Sequence, residues 1–115
     1  MSSAESPSPR NYSHITSLAA AQSSAANGEL FPVLLFPAEF GGEEIAPNIV
    51  YVPPGIPEIK DQITGTLIRF YEGGLINKLS ISPTYKGKSL VPATIGIKAW
   101  HSDKDGGLNP SIEIW

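Results

Sequence analysis

Between Pro57 and Phe70 the apolar residues Ile59, Ile63, Leu67 and Phe70 recur at spacings of four, four and three, the period of one buried helical stripe. Pro57 suits a first helical turn, Glu58 and Asp61 oppose the positive end of the helix dipole, and Gly73-Gly74 offers a left-handed stop. Gly65 weakens such a helix by about 1 kcal/mol relative to alanine, which points to a close helix–sheet contact at that position. This is the one strongly marked helix of the chain. Its apolar stripe must be covered, and the segments around it read as strands.

Those segments are cut short by proline and glycine, of which the 115-residue chain holds eleven each. Leu30 to Phe36 is β-branched and aromatic enough for a strand, but Pro32 lacks the amide that a central strand needs, so it belongs at an edge or in an extended arm. Asn48 to Val52 follows, stopped by Pro53-Pro54. After the helix come Leu75 to Ser82, Ala93 to His101 and Pro110 to Trp115, joined by a loop over 83–92 and by the turn cluster Asp103-Lys104-Asp105-Gly106-Gly107. The order strand, strand, helix, strand, strand, strand predicts an α+β two-layer sandwich, with a mostly antiparallel sheet of four to five strands and one helix packed on one face. The Gly-Gly pairs at 41, 73 and 106 are nearly evenly spaced, but the segments after them share no pattern, so they mark no repeat.

Alternation divides the late strands into two faces. Ile95, Ile97 and Ala99 form one apolar row, joined by Ile112 and Ile114 and by Leu79 and Ile81. Lys98, Trp100, Ser80, Ser82, Ser111 and Trp115 fall on the other. Both tryptophans are therefore expected on the face the helix leaves uncovered. They either close a second small core there, against each other or beneath the 30–40 arm, or offer a recognition surface, a role in which tryptophan is over-represented.

Residues 1–28 read differently. They hold eight of the thirteen serines and six alanines, with Glu5 and Arg10 the only charges, and Pro7 and Pro9 interrupt any helix at the start. We divide the chain into this Ser/Ala-rich tail, flexible or ordered by a partner, and a single α+β domain over 29–115. Within the tail, Ser13 to Ala26 is able to form a marginal helix capped by Ser13.

The net charge of −3 conceals an order. Residues 29–61 carry six acids against Lys60 alone, whereas 62–104 carry six bases against Glu72 and Asp103. Either folding brings the two blocks together, or the molecule is dipolar and able to steer a partner or stack head to tail with copies of itself. The negative total argues against nucleic acid as a partner. No cysteine is present, which excludes disulfides, thiolate metal sites and a cysteine nucleophile. The sequence shows no secretory signal and no apolar run of membrane-spanning length, so a cytoplasmic location is expected.

Candidate chemistry is sparse. Gly87-Lys88-Ser89 resembles the end of a phosphate-binding loop, yet Ser82 stands where that loop requires glycine, and Leu90-Val91-Pro92 follows where a helix should begin. His14 and His101 lack further metal ligands, and no nucleophile elbow accompanies His101 and Asp103. Glu43-Glu44 beside Gly41-Gly42 is the pattern of a solvated loop. We therefore expect a non-enzymatic protein-interaction or self-assembly module without cofactor or metal. Its partner, a protein or a second copy, would dock on Trp100, Trp115 and Lys98 and on an arm bearing Phe31 and Phe36. The alternative is a small anion-ligand binder or small enzyme using Tyr85, Lys86, Lys88, Ser89 and His101. Single-stranded nucleic-acid binding ranks last.

Overall fold

The computed structural model describes residues 11–115; the part of the expected tail that precedes them lies outside the described residues. It is an α+β fold with antiparallel sheets. Strand β1 (Phe31–Leu34) pairs with β2 (Ile49–Val52), and the long helix α2 (Ile56–Glu72) follows after a short helix α1 (Leu18–Ala26) at the start of the chain. Strands β3 (Lys78–Tyr85), β4 (Pro92–Trp100), β5 (Gly107–Leu108) and β6 (Ser111–Glu113) make the second sheet. The expected order of strands around the main helix holds. The strands are divided between a two-stranded and a four-stranded sheet, rather than joined in one.

Strand β4 is the spine of the larger sheet. It pairs with β3 along its length and with β5 and β6 on successive stretches, all antiparallel. The last two are separated at Asn109-Pro110, where proline has no amide to donate, while the Pro110 carbonyl still accepts from Ile97 at 2.9 Å. The outermost strand, β3, contains Pro83 opposite Ile95, a position open to proline on an edge strand. Pro32 sits in β1, an edge strand as expected.

The alternation read from the late strands is the observed one. Ile95, Ile97, Ala99, Ile112 and Ile114 are buried, and Leu79 and Ile81 pack half-buried beside them. They form one cluster with Val50 and Val52 of β2, Leu67 of α2, Leu30 and Val91.

Two local expectations are revised. The buried residues of α2 are Ile56, Lys60, Thr64 and Leu67, whereas Ile59 is 42% exposed and Ile63 and Phe70 flank the core half-buried. The helix is thus rolled relative to the stripe read from its apolar residues, because Val33, Leu34 and Pro37 border the flank that carries Lys60 and Thr64. At Gly65 an added Cβ would meet only the Arg69 guanidinium, 3.8 Å away, so no close backbone approach explains this glycine.

The Ser/Ala segment also behaves differently after residue 11. Ile15 and Ala21 belong to the core cluster, with Tyr12 packed against it. The Leu90 amide donates to the Ile15 carbonyl at 2.7 Å, and Ser17, rather than Ser13, caps α1 by accepting from the Ala20 amide at 3.1 Å. The residues here are small, so one aliphatic side chain, Ile15, anchors the segment.

Candidate functional site

The outer face of the larger sheet is built by register. Lys78 faces Trp100, Ser80 faces Lys98, Ser82 faces Gly96 and Thr84 faces Thr94, while Ser111 and Glu113 extend the last two rows on β6. The two threonine hydroxyls share a hydrogen bond across the strands. The Lys98 ammonium lies 5.5 Å from the centre of the Trp100 ring, within cation–π range. Gly96 has no side chain to fill the middle of this face, and a shallow depression of 280 Å³ lies there, bordered by Ser80, Ser82, Lys98 and Ser111. The serines and lysines of the face are exposed, and Trp100 is half-buried.

Trp115 does not join Trp100. Its amide, like that of Ile114, donates to the Ala93 carbonyl, so the end of the chain turns in at the start of β4, ~23 Å from Trp100 at the usual strand rise. There the indole Nε1 donates to the Val91 carbonyl at 3.0 Å, and Tyr12 meets the ring edge-on at 5.8 Å. The Lys86 ammonium lies 4.9 Å from the same ring. The two tryptophans do not close a core against each other: Trp115 packs against Tyr12.

Phe31 and Phe36 are likewise separated. Phe31 is 39% exposed opposite Val52, so the expected arm is a strand paired within its own chain. Phe36 lies beyond the other end of β1, held by Asn48, whose side-chain oxygen accepts from the Phe36 amide at 2.8 Å and whose side-chain nitrogen donates to the Phe36 carbonyl at 3.0 Å. Together with Phe40, Tyr71, Glu39 and Lys78 it lines a cavity of 350 Å³; Phe40 and Tyr71 meet edge to face at 6.0 Å.

The alternative set is not assembled either. Tyr85, Lys86, Lys88 and Ser89 surround the β3–β4 turn, whereas His101 follows the far end of β4, ~26 Å away along the strand. Ser89 is buried and engaged, its hydroxyl donating to the Tyr12 carbonyl at 2.6 Å and accepting from the Val91 amide at 3.1 Å. His101 Nδ1 accepts from the Asp103 amide at 3.0 Å and shapes its own turn. Burial raises the Tyr85 phenol above its ordinary pKa. Tyr85, Lys86 and Lys88 thus remain neighbours in one loop, without the serine or the histidine as ligands.

Among the described residues no ion pair joins the acids of 29–61 to the bases of 62–104. Lys60 is the exception in environment: it is 6% exposed within the acidic block, and burial lowers its pKa against the opposing pull of Asp61 and Glu39. Sequence reasoning counted Lys60 only as a charge. No periodic signal marks it, because its burial follows from what borders α2 on the far flank. Among the described residues no group of three His, Asp or Glu side chains is placed to hold a metal ion, and no helix is long and apolar enough to cross a membrane.

Comparison with protein-family models, with curated proteins and with solved structures finds no match to this chain.

Proposed function

We propose that the protein is a non-enzymatic interaction module that associates with further copies of itself, its contact surface being the outer face of β3, β4 and β6 around Lys98 and Trp100. The observation that carries this reading is the pairing of an uncovered basic and aromatic sheet face with an acidic block that has no ion-pair partner among the described residues. Lys78 and Lys98 stand on the face; Glu39, Glu43, Glu44 and Glu58 lie on the loops beside β1 and β2 and on the first turn of α2. Two different surfaces of complementary charge favour a head-to-tail arrangement, which closes into a ring or extends as a filament according to the rotation between copies. The free edge of β3, eight residues long, is available to a strand from the neighbour, although Pro83 limits how far such pairing runs.

Light scattering after size exclusion, at low and high salt, tests the reading. Association is expected to be strongest at low salt, because exposed charges are screened beyond about 8–10 Å at ordinary ionic strength. Lys98→Glu should weaken it, and Glu43→Lys with Glu44→Lys in a second copy should restore it. A monomer at every concentration and salt overturns self-association. Capture of a protein of acidic surface by that monomer would move the same face to a heterologous partner.

A further inference from the structure

Two polar side chains on the buried face of α2 take no part in the surface described above. Lys60 and Thr64 are each 6% exposed and stand one helical turn apart on the same side of the helix. Neither forms a hydrogen bond among the described residues. Protein interiors pair nearly all of their buried polar groups, so two unpaired donors side by side ask for an acceptor from outside the chain. Both line a pocket of 280 Å³ whose apolar wall includes Val33 and Leu34 and whose rim carries Asp61 and Glu39. That volume is close to the lower end of ligand pockets, which begin at about 300 Å³.

The chemistry of the lining selects the ligand. Two carboxylates, Asp61 on the same helix and Glu39 opposite it, outnumber the single ammonium and disfavour an anion. The apolar wall accepts an aliphatic body. The ammonium and the hydroxyl both point to an uncharged oxygen acceptor, and an amine with a free electron pair adds to a carbonyl carbon. We infer that Lys60 and Thr64 form a binding site for a small uncharged aldehyde or ketone, which the Lys60 Nζ captures as a Schiff base.

In that step the amine lone pair forms a bond to the carbonyl carbon, and a nitrogen proton passes to the oxygen to give a carbinolamine. The hydroxyl then leaves as water, taking a proton from solvent, and the C=N bond closes as nitrogen gives up its second proton, which Asp61 or Glu39 accepts and returns to solvent. One water is released, and nothing is oxidised or reduced. Burial, which holds the Lys60 amine below the ordinary lysine pKa, enlarges the fraction that carries the free electron pair near neutral pH.

The probe is 2,4-pentanedione at neutral pH, which condenses with an unprotonated lysine to an ultraviolet-absorbing enaminone, followed by peptide mapping of the full chain. Lys60 is expected to be labelled several-fold faster than Lys78, Lys98 or Lys104. Thr64→Val, with an unchanged circular dichroism spectrum, is expected to slow labelling at Lys60 several-fold, because the carbonyl loses its second donor. Labelling spread evenly over the lysines, absence of label at Lys60, or a rate indifferent to Thr64→Val overturns the site. The readout is independent of oligomeric state, so its failure leaves the sheet-face association untouched.

Discussion

The buried hydroxyl of Ser89 donates to the backbone carbonyl of Tyr12, 2.6 Å away and 77 positions earlier in the chain. This bond, with the Leu90 amide on the Ile15 carbonyl, ties the segment ahead of α1 to the β3–β4 turn. Ser89 also accepts from the Val91 amide, so the hydroxyl bridges two backbone groups. Ser89→Ala would leave both without that partner in a buried place and is expected to cost about 1–3 kcal/mol in urea unfolding.

Ile15 carries the hydrophobic part of the same attachment. It is 3% exposed, so Ile15→Ala is expected to destabilise the fold by about 2–5 kcal/mol, as for any core aliphatic residue. A residue in an unattached tail would change stability by less than ~0.5 kcal/mol, and calorimetry or urea titration separates the two outcomes.

The two tryptophans are expected to respond in opposite ways. Trp115 packs against Tyr12 and donates to the Val91 carbonyl, so Trp115→Ala should lower stability by about 3–5 kcal/mol. Trp100→Ala should instead weaken association while leaving most of the stability in place, since one side of its ring meets Lys98 on the open sheet face. Paired unfolding and light-scattering measurements on both variants check the division.

Asn48 organises the loop between β1 and β2. Beyond its two bonds to Phe36, its side-chain nitrogen donates to the Glu43 carbonyl at 3.0 Å. Gly42 allows the chain to pass there, since a Cβ at that position would collide with the Phe36 carbonyl. Asn48→Ala removes all three bonds and is expected to cost about 1–3 kcal/mol, with faster amide exchange at Phe36 as the local signature. Gly65→Ala should act in the other direction, raising helix stability by about 0.5–1 kcal/mol, because the added methyl meets only a movable Arg69 side chain.

Lys60 and Tyr85 give alkaline stability two opposed contributions. The lowered pKa of Lys60 means that the unfolded chain binds its proton more tightly than the folded one, so stability rises with pH from the folded value up to the ordinary 10.5. The raised pKa of Tyr85 means that the folded chain keeps its proton longer, so that contribution is lost as pH climbs from 10.0 through the folded value. Lys60→Met is expected to remove the rise, and Tyr85→Phe the fall, in unfolding free energies measured across alkaline pH.

The legible part of this protein was the part governed by short-range stereochemistry. A strand sends alternate side chains to opposite faces wherever it lies, so Ile95, Ile97 and Ala99 identified the inner face, and Lys98 and Trp100 the outer one, from the order of residues alone. The punctuation by proline and glycine likewise marked the strands and α2. The Phe31-to-Phe36 segment read as a strand or an arm, because local preference does not say which strand will pair with it.

What remained for the tertiary structure was everything decided by distant neighbours. Ile59 faces outward and Lys60 inward because the chain at Val33, Leu34 and Pro37 borders one flank of α2, and nothing within the helix records that. Trp115 packs against the ring of Tyr12, far away in sequence, a contact that no pattern within β6 records. Composition marked the first 28 residues as a tail, yet one buried isoleucine and the bond from Ser89 join their second half to the core. Alternation and turns cost only local geometry and can be read locally; burial is a property of the whole set of contacts and exists only once they have formed.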